Sequence, residues 1–293
     1  MKSIIKSLLT RSIQAAKEEG LSSVPRRGWG LLRRHTRQLK FKPYLVQKEI
    51  GEIKFSFILS DIWAENWYLH AESRPEILWL QETIKPGMRV LDCGAHHGFF
   101  AMLFAKLVGD HGEVYSIEAL PSNARIIKKN IDLNGQTNIT VINKAVSSEK
   151  GELWFATRKH GIYEGNGHIS NVRSKSDVRV DVTTIDELFP QTKFDALKID
   201  IEGLELNVLR RAGRILDTIP ILDIEIHCSS FLNREQELIE ILSLLALQQY
   251  ECWIQLVPDG PLLSFDRSIH TPSLLSSYDN LHLFARPVSS LTK

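Results

Sequence analysis

The segment Val90-Leu91-Asp92-Cys93-Gly94-Ala95-His96-His97-Gly98 sets an acid and two glycines at the end of an apolar run, and Glu118 closes the next such run, Glu113 to Ile117. A strand, a glycine-bearing turn and a helix start, with a carboxylate one strand later, is the layout of a nucleoside-cofactor site in an α/β sheet. The charge at position 92 discriminates among cofactors. A dinucleotide needs glycine there so that its pyrophosphate can approach the backbone, and an Asp92 carboxylate would repel it. S-adenosylmethionine carries a sulfonium and an ammonium and would be attracted, so these residues predict a methyl-donor site in which Glu118 accepts hydrogen bonds from both ribose hydroxyls. A plainer reading has Asp92 capping the helix that begins near Gly98 and the glycines only forming a tight turn. Glu118 weighs against it.

Methyl transfer is an in-line displacement at an already activated carbon, so the protein mainly aligns the acceptor and removes its proton. A hydroxyl acceptor then calls for a base, and Asp200, Glu202 and His227 are the titratable candidates at predicted strand ends. A plainer reading has Asp200 capping the helix that follows, with Glu202 and Glu205 complementing its dipole. Alternation in Asp223-Ile224-Glu225-Ile226-His227 puts three polar side chains on one face, where with Asp200 they could hold a divalent ion. The reading adopted here assigns no metal. His168 and Ser170, in a glycine-rich stretch, are further candidates for touching the acceptor.

Positioning these residues requires alternating elements. From Met88 onward, strands are predicted near 88–93, 113–118, 139–143, 195–199, 221–227, 251–257 and 280–286, with helices over 98–108, 122–134, 203–213 and 233–247. That order predicts a seven-stranded, mostly parallel sheet with helices on both faces. Residues 151–155 and 178–182 read as an inserted strand pair, and the polar stretch between them, with Gly161, Gly165 and Gly167, as a lid. No convincing helix joins the last two strands, so they are expected to pair antiparallel at the sheet edge, which fits a class I methyltransferase (Rossmann-like) fold better than a dehydrogenase. Upstream, Glu52 to Leu59 alternates like a half-buried strand and is expected to form an accessory flap. Trp63, Trp67, Tyr68 and His70 follow as an aromatic cluster, placed either in the core or over the cofactor or acceptor.

A chain of 293 residues, 43% apolar, can bury a full α/β core with something left over. Residues 1–42 carry a net charge of about +9 and the remainder about −8, so the ends behave differently. The opening stripe Ile4, Ile5, Leu8, Leu9 and Ile13 reads as a solvated arm or a helix docking on an anionic membrane, a nucleic acid or a partner. It lacks a secretory cleavage signature, and Cys93, Cys228 and Cys252 have no metal-type spacing; the cytoplasm is the expected compartment.

The segments around Asp92 to Gly98; Ile117-Glu118-Ala119 with Pro121; Asn143 to Ser147; Thr184 to Leu188; and above all Phe194-Asp195-Ala196-Leu197-Lys198-Ile199-Asp200-Ile201-Glu202-Gly203-Leu204-Glu205 resemble the FkbM-type methyltransferases over roughly residues 85 to 230. His96 and His97 stand where that family more often has asparagine and an aliphatic residue. The resemblance implies transfer from S-adenosyl-L-methionine to a hydroxyl of a saccharide or other small natural product. It further implies a loop of Asp92, Gly94, Ala95 and Gly98 under the methionyl group, Glu118 with Ala119 at the ribose, Lys144 and Ala145 at the adenine, and Asp200 beside the cofactor. The expected organisation is a basic arm over 1–45, an accessory segment over 46–84 and the methyltransferase domain over 85–293. The competing reading is a catalytically silent scaffold that keeps the fold and uses the arm to hold a membrane or nucleic acid. Nucleic acid is not an expected partner, because few aromatics, Trp29 and Phe41, interleave the arm's cations; peripheral membrane contact is.

Overall fold

The computed structural model describes residues 41–156, 168–169 and 177–288. The chain opens with strands β1 (Tyr44–Ile50) and β2 (Ile53–Leu59) and helices α1 (Ile62–Tyr68) and α2 (Pro75–Thr83). It continues through β3 (Arg89–Cys93), α3 (Phe99–Val108), β4 (Glu113–Ile117), α4 (Pro121–Leu133), β5 (Ile139–Ile142) and the short β6 (Ala145–Val146). An insert holds β7 (Gly151–Ala156), β8 (His168–Ile169) and β9 (Val178–Thr183). Then come α5 (Ile185–Leu188), β10 (Ala196–Ile199), α6 (Glu205–Leu209), α7 (Gly213–Leu216), β11 (Ile221–Ile226), α8 (Arg234–Leu244), β12 (Tyr250–Gln255), β13 (Leu263–Ser264), α9 (Pro272–Leu275) and β14 (Leu281–Pro287).

The central sheet runs β13-β12-β14-β11-β10-β3-β4-β5. The five strands from β11 to β5 are parallel, while β14 lies antiparallel between β11 and β12. The fold is thus the expected α/β class I architecture, with the two-residue β13 added as an eighth strand. Between β3 and β10 the chain order reverses, and a crevice opens at the carboxyl ends of such a pair. Val90, Leu91, Asp92 and Cys93 are all buried, as suits a parallel strand covered on both faces. The insert pairs β7 with β9 antiparallel as expected, with β6 and β8 extending it to four strands.

The expected accessory flap is instead part of the core. β2 pairs in full register with β1 and packs Phe55, Phe57 and Leu59 onto α3 and α4. Phe55 and Phe57 meet the Phe99 ring at 5.8 and 5.7 Å. The cause lies in α3: seven of its ten residues are buried, so it is apolar on more than one face and needs a cover besides the sheet. Asn130 of α4 and Asn134 at its C-terminal cap lock the hairpin by accepting from the Ile58 and Ser56 amides. The expected accessory segment 46–84 therefore shares one core with the strands that follow it.

The helix expected over 203–213 is broken in two. Gly203 takes φ +103 against the Ser230 side chain, which delays the start to Glu205, and a second short helix begins afresh at Gly213. The arm up to residue 40, Ser170 and the three glycines of the expected lid lie outside the described residues; His168 is described only as part of β8. No helix among the described residues is long and apolar enough to cross a membrane.

Phe57→Ala should destabilise the protein by about 3–5 kcal/mol, the usual cost of emptying a fully buried phenylalanine site. Chemical denaturation measures it; a loss near zero would restore the flap.

Candidate functional site

A cavity of about 250 Å³ opens at the carboxyl ends of β3, β4, β10 and β11. Its making begins with Gly94, whose φ is +91 and whose absent Cβ would lie 1.7 Å from the Asp200 carbonyl oxygen. Only glycine lets the turn after β3 pass the end of β10 this closely. The turn is pinned from the other side, where the Gly94 and Ala95 amides donate to the Ile117 carbonyl at 2.9 and 3.0 Å.

One wall centres on Glu118. Its Oε2 accepts from the His96 amide at 2.8 Å, and its Oε1 accepts from the Leu120 amide at 2.8 Å and the Asn123 amide group at 3.2 Å. Burial raises this carboxyl to about 7 against the pull of those three bonds. Gly94, Ala119, Lys144 and Ala145 line the cavity beside it. His96, in the left-handed region at φ 52, pairs through Nδ1 with the Tyr68 hydroxyl at 2.9 Å. Burial depresses its imidazole to about 4, so the ring is neutral. His97 is fully buried against Ser60 and Asp61, at 3.2 and 3.7 Å. The two histidines thus latch the turn to both ends of α1, His97 at its start and His96 at its last residue.

The opposite wall carries Asp200, Glu202, Glu225 and His227. His227 Nδ1 donates to Glu205 Oε1 at 2.8 Å, and its Nε2 faces Glu202 Oε2 at 3.5 Å and Glu225 Oε1 at 3.7 Å. Glu205 is wholly buried and also accepts from the Gly203 amide, so its position is fixed. Burial alone would lower the His227 imidazole, but the bond and charge of Glu205, with Glu225 and Asp200, outweigh it and raise it to about 10. At neutral pH His227 is therefore an imidazolium. Burial raises the Glu202 carboxyl despite that cation.

The expected site residues sort into two groups. Gly94, Glu118, Ala119, Lys144, Ala145, Asp200, Glu202 and His227 line one cavity, whereas Asp92, Ala95 and Gly98 do not. Gly98 flanks the start of α3 without a side-chain cap, backed by Ile127, and Asp92 caps nothing. Instead Asp92 lies in register between Ser116 and Lys198, with Asp223 one strand further along, forming a buried polar row beneath the turn. Burial raises its carboxyl to about 7. The four-residue cation set of Asp200, Asp223, Glu225 and His227 is not assembled. Asp223 bonds His282 and stands 3.6 Å from the Lys198 ammonium, which also donates to Glu76 at 2.7 Å. The structure groups ligand atoms of Asp200, Glu202 and His227 within 4.8 Å of one another instead. Sequence reasoning missed Glu205 as the holder of His227, Tyr68 as the holder of His96, and the Glu76–Lys198 pair. Nothing along the chain links positions 22, 28 or 122 residues apart.

The cavity suits S-adenosylmethionine on observations of its own. A buried carboxylate is held rigidly by backbone amides on one wall, and carboxylates outnumber cations on the other. An unpartnered buried oxygen, Asp92 Oδ1, lies beneath the turn between them.

A sequence model described as the methyltransferase FkbM domain matches residues 92–252. The protein-L-isoaspartate O-methyltransferase of Methanococcoides burtonii is 33% identical over 60 residues, 20% of this chain and 30% of that protein. The chain thus spans less than a third of the length of this curated relative. Among solved structures, an FkbM methyltransferase from Methylobacillus flagellatus KT is 19% identical with a TM-score of 0.42, over 75% of this chain and 52% of that one. Aeropyrum pernix fibrillarin, solved with natively bound S-adenosyl-L-methionine, is 14% identical with a TM-score of 0.40, over 72% and 73%. With more than half of its residues matched by the domain model, the chain belongs to the FkbM family of S-adenosylmethionine-dependent methyltransferases.

Proposed function

We propose that the protein transfers a methyl group to a hydroxyl oxygen of a saccharide or other small natural product. The observation that carries this reading is the Glu205–His227–Glu202 chain facing the same cavity as Glu118. Bound S-adenosylmethionine supplies a methyl carbon made electrophilic by its sulfonium. Glu118 would hold the ribose hydroxyls, with Lys144 and Ala145 bordering the adenine. Glu202 is the proton acceptor: it faces the cavity, its side chain is 45% exposed, and its raised carboxyl is a better base than an ordinary one. His227, charged and clamped by Glu205, positions Glu202 rather than taking the proton itself. Asp200 adds negative charge beside the donor's cationic end. We place this chemistry in the cytoplasm, consistent with free thiols at Cys93, Cys228 and Cys252, and assign peripheral membrane contact to the basic arm.

Glu118→Ala should weaken S-adenosylmethionine binding by about 1–3 kcal/mol, the cost of a lost charged hydrogen bond; unchanged calorimetric affinity would reject the ribose role. Glu202→Gln should lower kcat by about 10²–10⁴-fold at unchanged cofactor affinity, the range for a lost general base. The pH profile follows from the two shifts. Activity rises as Glu202 ionises, above the ordinary carboxylate range, and falls as His227 loses its proton near 10. His227→Asn should remove the alkaline limb, and a profile identical to the parent's would detach His227 from the reaction.

A further inference from the structure

Helix α1 is capped by Asp61, which accepts from the Ala64 amide at 2.8 Å, and it buries Ile62, Ala64 and Tyr68. The i, i+4 spacing leaves Trp63 and Trp67 together on the other face. They are 39% and 37% exposed, whereas Trp79, Trp154 and Trp253 are buried or half-buried. Both indoles line the cavity. The Arg74 guanidinium lies 4.6 Å from the Trp67 ring centre and pairs with Asp259 at 3.0 Å, which fixes the plane of that indole. Trp67, Arg74, Glu225 and Asn280 also line a smaller neighbouring cavity of about 40 Å³ that Glu118 and Lys144 do not reach. The Trp67 end of the site therefore lies away from the cofactor anchor.

We propose that Trp63, Trp67 and Arg74 form the acceptor subsite and that its occupant is a saccharide ring, an assignment that rests on the methyl-transfer reading above. Two exposed indoles offer an apolar platform for the C–H face of a sugar, and a large exposed apolar surface inside a cavity marks a ligand wall. The facing wall decides the class. Glu225 and Asn280, joined at 3.3 Å, present acceptors and a donor to the same space, with Glu202 beside them. A flat phenol with one or two hydroxyls would strip water from these groups without replacing their hydrogen bonds, whereas a ring of hydroxyls meets them. The platform is also coupled to the cofactor turn. Tyr68, on the same helix, stacks on Phe99 at 4.8 Å and binds His96, whose amide serves Glu118.

The test incubates the full-length protein and its Trp63→Ala, Trp67→Ala and Trp67→Phe variants with methyl-labelled S-adenosylmethionine and an extract of the source cells, then acid-hydrolyses and fractionates the products. Cofactor affinity is measured in parallel by calorimetry. The expected result is label in O-methyl monosaccharide, reduced about tenfold or more in each alanine variant at unchanged cofactor affinity and partly restored in Trp67→Phe, the size expected for a lost stacking surface. Label in a phenolic small-molecule fraction, or alanine variants equal to the parent, overturns the subsite alone; label in protein or nucleic acid overturns the small-molecule acceptor and the subsite with it. A parent protein that binds cofactor but labels nothing overturns the methyl-transfer reading and the subsite with it.

Discussion

The site depends on one close approach, that of the turn after β3 to the end of β10. The two strands are parallel neighbours across the reversal of chain order, so both loops leave the sheet at the same place. Gly94 passes within what would be 1.7 Å of the Asp200 carbonyl were a Cβ present, and the Asp200 amide donates to the Cys93 carbonyl at 2.9 Å. A side chain at 94 would push the loops apart. It would also separate the Glu118 wall of the cavity from the Asp200–Glu202–His227 wall.

Charge is arranged in two layers around that approach. Beneath the turn, Asp92, Lys198, Asp223, Glu76 and His282 form a buried network in which the Lys198 ammonium is held by Glu76 and Asp223 and lies 4.2 Å from the Phe100 ring centre. Removing one partner from such a network leaves a buried charge uncompensated, so these residues are bound to one another structurally. Above it, Asp200, Glu202, Glu205 and Glu225 surround a single imidazolium. The upper layer sets an excess of carboxylates along the cavity wall. The negative charge first argued from Asp92 is instead presented to the cavity by the acids of its walls.

The N-terminal elements show why periodicity is a partial guide. Alternation in 53–59 reveals that one face of the strand is buried but not what buries it. The signal for that lay in α3: Phe99, Ala101, Met102, Leu103, Phe104 and Ala105 leave no polar face for solvent, so another element had to cover it. Helix α1 then follows from the hairpin, since Phe57 and Tyr68 meet at 5.5 Å and Tyr68 reaches the cofactor turn. The double histidine, an oddity in one dimension, becomes a latch between those parts.

The strand positions, the class of cofactor and the place of Glu118 at the cavity were legible along the chain because they depend on local patterns: apolar runs, a glycine turn, an acid at a strand end. Asp200, Glu202 and His227 were legible as candidates for the same reason, and so was the antiparallel edge. Their roles were not, because the proton affinity of an imidazole depends on which carboxylates surround it. Glu205 reaches His227 only when α6 and β11 are folded side by side. Burial likewise turned Asp92 from an expected ligand contact into a member of a buried polar row, and the fold set two tryptophans in the cavity. Local chemistry is written in neighbouring residues, but the electric field at a site sums over groups that only the tertiary fold brings within a few ångströms.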